Sequence, residues 1–180
     1  MQARRGAQAR KRAASRKVAA IKAEDVRLIQ VESGIALEEI RALFLEYAQS
    51  LDFKLCFQNF DLELRDLPGI YKPPQGRLVL CEVNGKPAGS IALKPLEPGI
   101  CEMKRLFVRP ALRGHRLGLK LAEHIINEAR TIGYTSMRLD TIQGRMDNAI
   151  ALYESLGFRE IPPYYENPIP NAFYMELRLR

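Results

Sequence analysis

Apolar and polar positions alternate over residues 26–32 (VRLIQVE), the period-two pattern of a half-buried strand. Ile40, Leu43, Phe44, Tyr47 and Leu51 then recur at spacings of three and four, so an amphipathic helix follows the strand. A second short helix is expected over 57–66, ending before Leu67-Pro68-Gly69, and 71–76 reads as loop. Runs 78–83 and 88–93 flank Asn84-Gly85, a pair that tolerates positive φ and so predicts a tight hairpin. A strand over 100–108 leads through Arg109-Pro110 into a helical pattern with Leu117, Leu121, Ile125 and Ala129 on one face, closed by Gly133. A strand over 135–141, a helix over about 147–156 stopped by Gly157, a Pro-rich irregular stretch and a closing strand ending near Leu179 complete the chain. Hairpins come first and strand–helix–strand units later, which predicts a mixed α/β (α+β) sheet with helices on its faces.

Length and composition sharpen this picture only in places. At 180 residues and 47% hydrophobic, the chain suits one domain, and no window approaches a membrane span. The net charge of +7 suggests a polyanion partner until it is located. Residues 1–23 carry eight bases and no acid, leaving 20 bases against 21 acids in the rest. A basic, disordered arm over 1–23 is therefore expected, followed by an electrically balanced domain over 24–180. The arm suits a solvated extension, non-specific contact with polyanions, or a transit peptide. No specific nucleic-acid partner and no membrane partner are expected. Cys56, Cys81 and Cys101 form no C-x-x-C pair, and His115 and His124 stand apart, which argues against a disulfide scaffold or structural zinc. Unpaired thiols in apolar runs point to a reducing, cytoplasmic setting.

Chemistry enters at residues 106–118 (LFVRPALRGHRLG), where a strand ends and a helix starts through a basic, Gly-bearing turn. Free amides at a helix N-terminus, with the positive end of its dipole, bind phosphate oxygens. The turn lacks both the Lys-Ser/Thr of a P-loop and the three glycines of a dinucleotide fingerprint. A short helical segment from Asn148 ends in Gly157-Phe158.

Together these two segments resemble the GCN5-related N-acetyltransferase (GNAT) superfamily, over roughly 26–179 and most strongly over 101–158. The resemblance implies a central mixed, mostly antiparallel sheet with helices on both faces, acetyl-coenzyme A as co-substrate and no metal. It assigns Arg113, Gly114, His115, Arg116, Leu117 and Gly118 to the pyrophosphate. Arg116 replaces the family's middle glycine, so its φ is expected to be negative, as in a first helical turn. Leu106, Phe107 and Val108 would pair with the pantetheine arm through their main chain, and Asn148 would contact the cofactor or cap its helix.

By the same resemblance Tyr153 protonates the departing thiolate; its alternative is core packing. A phenol near pKa 10 gives up its proton uphill to a thiolate near 8.5, so a hydrogen bond that tightens as charge develops is favoured. Glu102 would be the base that frees the acceptor amine, or else would form an ion pair with Lys104 or a neighbouring lysine. It shares a face with Leu106 unless a bulge intervenes. Asp140 is the second candidate base. A main-chain amide of the fourth strand would stabilise the oxyanion. The acceptor, a primary amine of a small molecule or peptide, would meet Phe53, Phe57, Phe60, Tyr71 and the 162–168 run. Another acyl donor, or a silent acyl-coenzyme A module tethered to a polyanion, stand as alternatives; the chain is expected to be a monomer or homodimer.

Overall fold

Asn84 and Gly85 take φ of 52° and 70°, the left-handed pair that lets a two-residue turn match strand twist. They join β2 (Arg77–Val83) to β3 (Lys86–Glu97). The computed structural model describes residues 21–51 and 59–180. Around this hairpin stand β1 (Val26–Gln30), α1 (Ile35–Ser50), α2 (Phe60–Asp66), β4 (Ile100–Val108) and α3 (Leu117–Ile132). They are followed by β5 (Ser136–Ile142), α4 (Asp147–Ser155), β6 (Arg159–Glu160) and β7 (Ala172–Arg178). Among the described residues the sheet has seven strands in the order β1-β2-β3-β4-β5-β7-β6. Only the β4–β5 pair is parallel, so the sheet is mixed and mostly antiparallel, as expected.

Each sheet face is covered. Leu117, Leu121, Ile125 and Ala129 of α3 seal the larger core against Val79, Ile91 and Met103, while Ile40, Leu43 and Phe44 of α1 pack on Leu78, Leu80 and Phe107 opposite. Burying such side chains contributes roughly 1.5–3 kcal/mol each relative to exposure. Gly133 closes α3 at φ 102°, its amide returning to Ala129 and Arg130. Ile21, at the edge of the expected arm, packs on the larger core; residues 1–20 lie outside the described residues. Strand β6, two residues long, was not expected from the sequence: it has too few positions to alternate.

Candidate active site

β4 and β5 stay together for only three pairs, Ile100 with Ser136, Cys101 with Met137 and Glu102 with Arg138. Beyond them the strands part, and 103–108 keeps its partner β3 but presents an unpaired edge toward β5. Leu106, Phe107 and Val108 occupy that edge: Leu106 and Val108 pack into the α3 side, Phe107 into the α1 side. On β5, beyond its last pair with β4, the hydroxyl of Thr141 is buried without a hydrogen-bond partner. A buried hydroxyl left unpaired costs about 1–3 kcal/mol, so a bound group with an acceptor fits there.

At the end of β4 the chain enters α3 through a turn pinned by Arg109, which grips Glu46 at 2.9 and 2.7 Å and the Pro87 carbonyl at 2.7 Å. Arg113 is exposed and donates to the Val108 carbonyl at 3.2 Å. Gly114 sits at φ 85° and Arg116 at φ 60°. The expected negative φ at Arg116 is therefore wrong: it is the left-handed residue preceding α3, in a conformation that costs a side-chain-bearing residue roughly 1–2 kcal/mol. The substitution preserves the backbone shape that glycine would adopt, because the turn geometry outweighs that cost. The first helical bond here is the Lys120 amide to the Arg116 carbonyl, so the amides of Leu117, Gly118 and the next residue make no backbone bond. They project from the turn beside half-buried His115, as an anion cradle requires. A Cβ on Gly118 would come within 3.8 Å of Leu152, which sets α4 against this helix start. Asn148 is exposed one residue inside α4 and is not its cap: Met146 holds that place, and Asp147 accepts from the Gly144 amide at 2.7 Å.

A bulge interrupts β4. Ser90 opposes Phe107 and Ala92 opposes Lys104, leaving Arg105 and Leu106 against a single residue of β3. Arg105 takes φ 57° and is 5% exposed. The extra residue turns Glu102 and Leu106 to opposite faces, where simple alternation would have put them together. No sequence signal marks the bulge, since arginine has no preference for a left-handed strand position. Tertiary bonds hold it there: Glu63 of α2 accepts from Arg105 at 2.9 and 2.5 Å, the Tyr71 hydroxyl donates to the same carboxylate at 2.7 Å, and the guanidinium lies 5.1 Å from the Phe60 ring centre. Burial opposes the charge on Arg105, but the bond to Glu63 outweighs it and holds the guanidinium ionised beyond its usual range.

On this face opens a cavity of about 640 Å³ between α2, β3, β4 and the β6–β7 loop. Glu102, 3% exposed, lines it with both oxygens engaged. Oε2 meets Lys94 Nζ at 3.0 Å, and Oε1 accepts from the Tyr164 hydroxyl at 2.7 Å with Lys104 at 3.9 Å. Asp140 is held more tightly, by Lys104 at 3.0 Å, the Tyr165 hydroxyl at 2.7 Å and Asn167 at 3.2 Å. Burial alone would raise its pKa, yet Lys104 and the Tyr165 bond bring it below the ordinary carboxylate value. Of the expected acceptor-binding residues, Tyr71, Tyr164 and Tyr165 line the cavity and Phe60 is buried beneath Arg105. Phe53 and Phe57 lie outside the described residues. Lys94, Glu63 and Arg105 escaped sequence reading because isolated charges on three separate segments carry no spacing signal.

Tyr153 lies on α4 and is buried in the larger core. Its ring packs 5.7 Å from that of Phe158, and it is 7% exposed. Burial raises its pKa, and Tyr47 and Asp140 are close enough to add to the shift. Tyr47 belongs to α1 on the opposite face of the sheet. Cys81 and Cys101 are buried in the larger core, with thiols pushed up to about 11 and about 12, and neither is poised as a nucleophile. Cys56 lies outside the described residues.

The acetyltransferase (GNAT) family model matches residues 37–158. An uncharacterised N-acetyltransferase of Schizosaccharomyces pombe is 41% identical over 161 residues, spanning 88% of this chain and 98% of that protein. The structure of an acetyltransferase from Streptococcus agalactiae superposes with TM-score 0.71 at 25% identity, covering 86% of this chain and 99% of its own. An acetyltransferase from Salmonella typhimurium, whose structure includes its cofactor acetyl-CoA, superposes with TM-score 0.60 at 20% identity over 87% of this chain and 95% of its own.

Proposed function

The chain belongs to the GNAT family of acetyltransferases, and on that premise we propose that it moves an acetyl group from acetyl-CoA directly to a primary amine, with Tyr153 as acid and Glu102 as base. The single observation that carries this reading is the parting of β4 from β5 between a free-amide turn and a polar cavity. The two sides of a transfer reaction meet at that gap. The thioester supplies the acetyl group when bound; everything else falls to the chain's own residues.

The amides at the start of α3, flanked by Arg113 and Arg116, would hold the pyrophosphate. Leu106 and Val108 would align the pantetheine arm by main-chain bonds along the open edge, as an added strand. The unpartnered Thr141 hydroxyl gains a partner in the same step. An amide at the β4 bulge is fixed before the reaction begins, as oxyanion stabilisation requires. Glu102 receives the acceptor's ammonium and takes its proton, since an alkyl amine near pKa 10 is mostly charged at neutral pH. Tyr153, kept protonated by burial, donates to the developing thiolate without ionising beforehand. Asp140 is the weaker base because its pKa is lowered and three donors already occupy it.

A screen of purified protein with acetyl-CoA against small amines, amino acids and peptides, reading free thiol and acetylated product, tests this. Acceptor-dependent thiol release is expected. Tight acetyl-CoA binding with no transfer to any amine class would favour a silent binding module instead.

A further inference from the structure

Among the described residues the charges around the cavity are already matched. Glu63 holds Arg105, Asp140 holds Lys104 and Glu102 holds Lys94. At the rim Asp66 pairs with Arg65, and Glu97 with Arg138. Among the described residues no surplus of carboxylates is left to draw a polycation, and an unpaired charge carried into such a site is strongly penalised.

The three inner cations differ in how replaceable they are. Arg105 is bidentate with a 3% exposed side chain, and Lys104 is 11% exposed between two carboxylates. Lys94 is 27% exposed and rests on Glu102 through a single 3.0 Å contact. Tyr164 keeps the other Glu102 oxygen, so an ammonium that reaches this carboxylate must take the place of the Lys94 head. Lys94 is then left beside the acceptor without an anion.

We propose that the acceptor supplies that anion itself: a primary amine bearing a carboxylate on the adjacent carbon, an α-amino acid, whose ammonium meets Glu102 while its carboxylate meets Lys94. Such a zwitterion is an ion pair laid in the opposite sense across the existing one, so the cluster remains neutral. Its side chain is apolar. Leu62 and Ile70, which line the cavity, are 48% and 58% exposed, two of only four large hydrophobics so exposed among the described residues. The proposal rests on the reading of Glu102 as the group that receives the amine. In the reaction the amine nitrogen bonds to the acetyl carbon and the carbon–sulfur bond breaks. Of the two protons the ammonium loses, one is released to solvent through Glu102 and one balances the proton that Tyr153 gives to sulfur. The products are the N-acetylamino acid and coenzyme A thiol.

The test compares leucine, leucinamide and 3-methylbutylamine as acceptors with acetyl-CoA, expressed per concentration of free amine. Leucine is expected to exceed both by about tenfold or more in kcat/KM, as for a site built around a polar group that the analogues lack. Lys94→Met, with Lys94→Gln as the second variant should the first fail to fold, is expected to shrink that advantage to within about threefold. Equal or better use of 3-methylbutylamine overturns the proposal, as does an advantage that survives loss of the lysine. Better use of leucinamide also overturns it and points to a peptide N-terminus. Transfer to none of the three despite acetyl-CoA binding overturns this proposal, and the reading beneath it falls too if no amine class is accepted.

Discussion

The two sides of β4 recognise by different means. Toward α3 and α4 the candidate cofactor groove is built from backbone: an open strand edge and the free amides of a turn whose side chains are largely exposed. Toward α2 the cavity is built from side chains, with buried carboxylates, lysines and tyrosine hydroxyls bonded to one another. A backbone site depends on local conformation and tolerates a change of side chain, as the arginine in a glycine's conformation demonstrates. A side-chain site depends on every member of its network, so single substitutions there should be felt more sharply.

Tyr153 is the proposed acid that joins the two sides, and its loss is expected to have the largest effect. Tyr153→Phe keeps the ring on Phe158 and should lower kcat by about 10²–10⁴ while acetyl-CoA affinity stays within a few-fold. Full turnover would make it a packing residue. Glu102→Gln should cost about 10²-fold near neutral pH, with activity recovering as pH approaches the amine's own pKa. A wild-type pH profile in that variant would remove Glu102 from the role of base.

The third prediction concerns stability. Asp140 has a lowered folded-state pKa, so its contribution is present above the unfolded value near 3.9 and is lost as pH falls through the folded one. Asp140→Asn should remove that acid-side slope from denaturation curves and, by leaving Lys104 short of a partner, destabilise by about 3 kcal/mol. Unaltered acid sensitivity would show that Asp140 carries no pH-linked stability. The smallest effect belongs to the backbone side. Arg116→Gly should relieve the left-handed strain, raising stability by up to about 1 kcal/mol, while weakening acetyl-CoA binding by a few-fold through loss of the charge proposed to face the phosphates. Unchanged or tighter binding would place the guanidinium in solvent.

The same contrast explains what the sequence could reveal. Strands and helices were legible because their periodicity is local, and the turn after β4 because its glycines and basic residues are contiguous. Arg105 was not: its conformation and burial arise from Glu63 and Phe60, with Tyr71 bonded to the same carboxylate, and all three lie 30 or more positions away in the chain. The sign of φ at Arg116 was missed for the converse reason, since the rule that side chains avoid that region yields to the tertiary demand of the turn. Glu102 was visible as a carboxylate, but its partner Lys94 became apparent only from strand register.

The three-pair seam between β4 and β5 also bears on how the molecule opens and closes. Strands β2, β3 and β4 are joined by short turns, whereas β5 finds β7 only after the intervening helix and Pro-rich stretch are in place. The sheet therefore divides into a locally connected half and a half completed by distant segments, which meet at the three-pair seam. Separate opening units of this kind are read by amide hydrogen exchange. The β5–β7 half is expected to exchange faster than β2–β4, and coenzyme A, bound along β4 as proposed, to slow β5 more than β2. Uniform protection in both halves, with and without ligand, would mean the seam is as strong as the rest of the sheet. In thermodynamic terms the ligand would act as a staple, replacing the strand-to-strand bonds that β4 and β5 never make with one another.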